Sequence, residues 1–138
     1  GPLLDRLELQ VELSPVPFAQ WAGAEGPVSE GSAAVRERVC RARAAAARRL
    51  GAPGALNARM TPAQARAFAA LAPDAERLLS AAAARAALSP RSLDRVLRVA
   101  RTAADLAGAE RVAREHVAEA LQYRALDRGM GSSGGKCQ

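Results

Sequence analysis

The spacing of apolar positions changes period along the chain. Leu7, Leu9, Val11 and Leu13 alternate with Glu8, Gln10 and Glu12. Period two over that length predicts a strand with one buried face. No later segment offers itself as a sheet partner, and a lone strand leaves its backbone groups unpaired. The sheet that would receive it is expected upstream of residue 1, so the chain reads as a piece of a longer protein. Without that sheet, residues 1 to about 30 are expected to be mobile. Residues 14 to 31 hold Pro15, Pro17, Pro27, Gly23, Gly26 and Gly31, which predicts a loop or linker.

Beyond Ser32 the period becomes helical. Val35, Val39, Ala42, Ala46 and Leu50 share one face of an Ala/Arg run that Gly51, Pro53 and Gly54 end. Glu37 and Arg41 stand four apart, the spacing of an ion pair on a helix surface. Thr61-Pro62-Ala63-Gln64 is a helix start, with a capping Thr, Pro in the first turn and Gln three residues on. A short helix to about Leu71 follows, and another from Pro73 to about Leu88. Ser89-Pro90 repeats the cap-plus-proline signature and opens the most regular helix, Pro90 to Ala107, with Gly108 placed to end it. A last helix is expected from about Ala113 to Arg124, before a Gly/Ser-rich tail expected to be disordered. The fold class is therefore all-α: a small helical bundle preceded by an orphan strand. The expected divisions are residues 1–31 (strand and loop), 32–128 (helical domain) and 129–138 (tail).

Composition sharpens this picture. Hydrophobic residues make up 49% of 138, but aromatics only 3%, so the core must be built from Leu, Val and Ala, which suits closely packed helices. The net charge is +6, almost all of the basic residues being arginine with Lys136 the one lysine. That balance fits a phosphate or nucleic-acid partner, although a high-GC genome supplies Ala, Arg and Gly everywhere. Cys40 and Cys137 form no metal-ligand spacing, which argues against a zinc site and fits a reducing cytoplasm. No apolar run is long enough to span a membrane.

The helix from Pro90 to Ala107 carries the candidate chemistry. Leu93, Val96, Leu97, Ala100, Ala104 and Ala107 cluster on one side, and Arg91, Arg95, Arg98 and Thr102 on the other. Asp94 is placed to pair with Arg98, and Arg101 with Asp105. Guanidinium groups bind two phosphate oxygens at once, while a solvated helix face accounts for the same spacing. His116 has no nucleophile placed near it and reads as a structural or surface residue. Tyr123 is expected to anchor the last helix, Cys40 to lie in the core or at its boundary, and Trp21 to pack onto a missing core or lie exposed.

Four stretches resemble one known family. RSLDRVLRVARTAADLAG (91–108) followed by EHVAEALQYRALDR (115–128) looks like the C-terminal helical lid of the magnesium-chelatase-like ComM/YifB family of AAA+ ATPases. GPLLDRLEL at the start resembles the GPLLDRIDL stretch that ends the family's ATPase core, with Leu7-Glu8 in place of Ile-Asp. LNARMTP (56–62) resembles the family's LNAQLT-type segment. The resemblance spans about residues 1 to 128, in order.

It implies a lid-type bundle in a subunit of a homo-oligomeric ring that uses ATP and Mg2+, with neighbouring subunits as partners. The phosphate-binding loop GxxxxGK[ST] does not occur in these residues, so this chain alone is expected neither to bind ATP in the usual way nor to hydrolyse it. By the same resemblance Arg6 falls where relatives carry the arginine finger that reaches a neighbour's ATP. Arg91 falls where they carry the second sensor on the nucleotide phosphates. Arg95 and Arg98 share its stripe and would face a neighbouring subunit, DNA or solvent, with solvent the default. Three functions follow: a DNA-processing motor of the type linked to natural transformation, the ATPase subunit of magnesium chelatase, or a stand-alone helical DNA-binding module. The ending HVAEALQYRALDR favours the first over the second.

Overall fold

The computed structural model describes residues 6–23 and 29–129, with side chains as far as residue 124. A one-turn helix, α1 (Phe18–Trp21), precedes α2 (Ser32–Leu50). A 3-10 turn at Asn57–Arg59 leads into α3 (Pro62–Phe68), α4 (Pro73–Ala86), α5 (Pro90–Leu106) and α6 (Arg114–Gly129). No described residue belongs to a β-strand ladder, so the described chain is all-α.

Local sequence sets these boundaries. Thr61 and Gln64 form a complete capping box: the Thr61 hydroxyl accepts from Gln64 N at 3.2 Å, and the Gln64 side chain accepts from Thr61 N at 2.9 Å. Each bond satisfies a donor that the first helical turn would leave unpaired. Ser89 Oγ caps α5 through Ser92 N at 3.2 Å. Gly51 ends α2 in the left-handed region, at φ 69°, where a residue without a Cβ is unstrained. Ala87 takes the same role after α4 at φ 45° without being glycine, an end that composition does not signal.

α5 is the axis of the bundle, packed by α6, α2 and α3, with α4 against α6. The core holds Met60, Leu79, Val96, Leu97, Val112 and Val117 around a set of buried alanines. Ala65, Ala75, Ala100 and Ala104 are wholly inaccessible. Small side chains at these crossings let the helix axes approach closely. Ala100→Leu should therefore lower stability by about 1–3 kcal/mol, because a close-packed core cannot take three more carbons without shifting its neighbours. Urea denaturation of the chain measures this, and a loss well under that range would mean slack at the crossing.

Two loops are tied together at one end. Ala72 N donates to Val112 O at 2.9 Å and Val112 N to Ala70 O at 3.1 Å, a single parallel bridge between the α3–α4 and α5–α6 connections. His116 acts at the same end. Its Nδ1 accepts from Ala113 N at 3.0 Å, so a buried imidazole caps the first turn of α6. Of the two expectations for it, structural or surface, the structure gives the first.

The strand expected at Leu7–Leu13 is not formed. Residues 7 to 17 run as irregular chain, with Leu7, Leu9, Val11 and Leu13 each more than half exposed. Alternation specifies which residues share a face, but a strand also needs a neighbouring edge to receive its N–H and C=O groups, and the described residues provide none. Cys40 is exposed rather than in the core or at its boundary, because α2 buries only Ala42 and Ala46 and Cys40 lies on the opposite side of the helix. The first half of α2 extends past the bundle, leaving Val35 and Val39 more than a third exposed on the expected apolar stripe. α6 runs on to Gly129, past its expected end. The rest of the tail, with Lys136 and Cys137, lies outside the described residues, as do residues 1–5 and 24–28.

Candidate functional site

Along the polar face of α5 some side chains are tied into the bundle, while Arg91 stands exposed. Asp105 lies at the centre of the first group. Arg49 at the end of α2 reaches both of its carboxylate oxygens, one at 3.0 Å. Asn57 of the 3-10 turn donates to Asp105 Oδ2 at 2.8 Å and to Thr102 Oγ1 at 3.2 Å, and accepts from Arg49 at 3.2 Å. Arg101 pairs with Asp105 Oδ1 at 3.1 Å, the i,i+4 pair expected from sequence. It also donates to the carbonyls of Ala109 and Glu110 at 2.7 and 2.9 Å. One carboxylate thus links α2, the 3-10 turn, α5 and the α5–α6 loop. Burial lowers the Arg101 pKa below the ordinary arginine value; Asp105 opposes the shift and Arg49 adds to it. Asn57 is the asparagine of the LNARMTP stretch, and its burial gives that stretch a structural reason.

The expected solvated stripe is corrected by the structure. Arg95 is only 8% exposed and Arg98 is partly buried, whereas Arg91 is exposed. Arg98 donates from Nε to Met60 O at 3.0 Å and lies 3.5 Å from Glu8. Asp94 pairs not with Arg98 but with Arg66 of α3, at 2.9 Å. Helical spacing predicted the right side of α5 for each residue. It did not show that residues from α3, the 3-10 turn and the N-terminal arm would cover that side.

Arg91 differs from the others. It sits in the first turn of α5, directly after Pro90, and among the described residues its side chain has no hydrogen bond or ion pair. Pro90 and the Ser89 cap fix the backbone of that turn, and the Arg91 side chain leaves it exposed. Arg6 is exposed at the start of the described arm. The arm touches α5 two residues later, where Glu8 meets Arg98. Glu8, Leu9 and Val11 line one side of an apolar groove of about 310 Å³, and Val99, Leu106 and Tyr123 the other. Tyr123 donates to Glu119 Oε1 at 2.7 Å; that bond, helped by burial and the carboxylate's charge, raises the phenol pKa. Among the described residues, no group of three His, Cys, Asp or Glu side chains is arranged to hold a metal ion.

The sequence over residues 29–124 matches the family described as magnesium chelatase, subunit ChlI C-terminal. The chain belongs to that family. It is 37% identical over 128 residues to the uncharacterized protein YifB of Salmonella typhimurium, covering 93% of this chain and 24% of the relative. It is 35% identical over 128 residues to the competence protein ComM of Haemophilus influenzae, with the same coverage. An uncharacterized protein of Mycobacterium tuberculosis is 40% identical over 130 residues, covering 90% of this chain and 24% of its own. This member of the family therefore spans about a quarter of the length of the curated relatives it matches. Its matched region runs from α2 through most of α6 and includes both the Asp105 cluster and Arg91, but not Arg6. Among the described residues no helix is long and apolar enough to cross a membrane.

Proposed function

We propose that this chain is the C-terminal lid of a cytoplasmic AAA+ ATPase subunit, and that a ring of such subunits couples ATP hydrolysis to work on DNA. The observation that carries the reading is Arg91, exposed and without a partner among the described residues on the capped first turn of α5, within a bundle whose other α5 arginines are engaged or buried. A guanidinium so placed suits phosphate oxygens, which it meets in a planar, two-point geometry.

ATP, held with Mg2+ by residues outside this chain, supplies the phosphoryl group that is transferred. Arg91 contacts the phosphates and ties the lid's angle to nucleotide state. Arg6, from the arm, stabilises the charge that develops on a neighbouring subunit's transferring phosphoryl group. That role in trans makes hydrolysis depend on ring assembly. Arg95 and Arg98 do not reach nucleotide in this reading: Arg98 is held by Met60 O and Glu8, and Arg95 is buried on the helix side.

The name of the Haemophilus relative supports the DNA reading, and the description of the matched family supports a second one, an ATPase subunit that drives magnesium insertion into a porphyrin. Steady-state ATPase activity of the full-length protein, with and without forked DNA, separates them. Stimulation by DNA supports the motor. Indifference to DNA, with activity coupled to porphyrin and partner subunits, assigns the chelatase.

A further inference from the structure

The basic charge of this chain is concentrated in one element. α2 holds six of the twenty basic residues and one of the fourteen acidic ones, and so carries +5 of the net +6. The other 119 residues are close to neutral. Arginine occurs throughout the chain, but outside α2 acidic residues balance it, and within α2 they do not.

The six arginines are also arranged by the helix. Ala42 and Ala46 mark the side of α2 that faces the bundle. Arg36 and Arg43 are seven residues apart and so share one row, about 10 Å between Cα positions. Arg41 and Arg48 share a second row, on the other side of the solvent face. Between the rows lie Ala33, Cys40 and Ala44, exposed and small, with the exposed Glu37 at the edge of the strip. Glu37 stands beside the second row and is engaged by Arg41 at 2.6 Å. Arg38, nearer the bundle, pairs with Glu30, and Arg49 belongs to the Asp105 cluster. The side chains of Arg36, Arg43 and Arg48 have no hydrogen bond or ion pair among the described residues, and all three are exposed.

We infer that the solvent face of α2 is a tracking surface for the phosphodiester backbone of DNA. The small residues let a strand lie close along the helix, and the two arginine rows flank it. The contact is to phosphates and carries no sequence preference. The exposed Glu37–Arg41 pair is weak and exchanges readily for a phosphate. This inference deepens the DNA reading of the protein and rests on it: the lid itself holds the nucleic acid, on a helix separate from the nucleotide-facing Arg91.

The test is fluorescence anisotropy of a labelled DNA duplex with the full-length protein at several salt concentrations, beside basal ATPase activity. The triple variant R36A/R43A/R48A should weaken binding at least about tenfold near 0.1 M salt. It should also reduce the slope of log affinity against log salt by about one to three, since each lost phosphate contact removes close to one counterion. Basal ATPase activity should be unchanged. R36K/R43K/R48K, which keeps the charges, should keep most of the slope and so separates lost charge from lost fold. If the wild-type protein binds DNA and the alanine variant matches it in affinity and slope, α2 is not the DNA surface although the motor reading stands. If the lysine variant loses the slope as fully as the alanine one, the contact is not electrostatic and the inference fails. If the wild-type protein does not bind DNA at all, the inference and the motor reading fall together.

Discussion

Asp105→Ala should destabilise the chain by about 3–5 kcal/mol, the range expected when one partner of a buried ion cluster is removed. The carboxylate is almost fully covered and accepts from Arg49 and Asn57 as well as pairing with Arg101. Its removal leaves the Arg101 guanidinium, itself about 1% exposed, with carbonyl partners but no opposite charge. It also frees the end of α2 and the 3-10 turn from α5. A domain of this size has only about 5–15 kcal/mol of stability in total, so this single change removes a large share of it. Urea denaturation measures the loss. Asp105→Asn keeps the shape and one acceptor oxygen and should lose less. A loss under about 1 kcal/mol for the alanine variant would show that water replaces the carboxylate, and the cluster would then not be what joins α2 to α5.

Arg91→Ala should have the opposite profile. In the full-length protein it should lower ATPase kcat/KM by about a hundredfold, the scale seen when one preorganised positive or hydrogen-bonding group is taken from a phosphate or oxyanion site. The stability of the chain should move by no more than about 0.5 kcal/mol, since the residue is exposed and makes no side-chain bond among those described. Arg91→Lys should recover little, because a point charge does not reproduce the two-oxygen geometry. Full activity of the alanine variant would remove Arg91 from the nucleotide site. Unfolding of the chain by the same change would make it a structural residue.

Much of the fold was legible because its signals are local. Thr61-Pro62 and Ser89-Pro90 start helices through caps and a fixed φ, and Gly51 and Gly108 end them with positive φ. The end of α4 was less legible, since Ala87 adopts a left-handed conformation that nothing in its type favours. In the candidate site, Arg91 was singled out by its position beside Pro90 and by the family resemblance; the structure shows it exposed, and its contact with nucleotide is a proposal. Arg6 lies exposed on the arm. Arg95 and Arg98 were placed on the right face with the wrong environment. The Asp105 cluster was only partly visible: the Arg101–Asp105 spacing showed one pair. Arg49 and Asn57 come from 56 and 48 residues away, and no periodicity reports them.

The sequence by itself determined the helices, their apolar faces and the small-residue core, because caps, prolines and a 3.6-residue period act within a few residues of where they stand. It determined too that the positive charge gathers on α2. Only the tertiary structure decided which charges are buried and which are free. A guanidinium on a polar helix face is solvated, buried or paired according to what another element lays over it, and that element is remote in the chain. The same reason governs Leu7–Leu13: its alternation is local, but a strand exists only where a second edge accepts its hydrogen bonds.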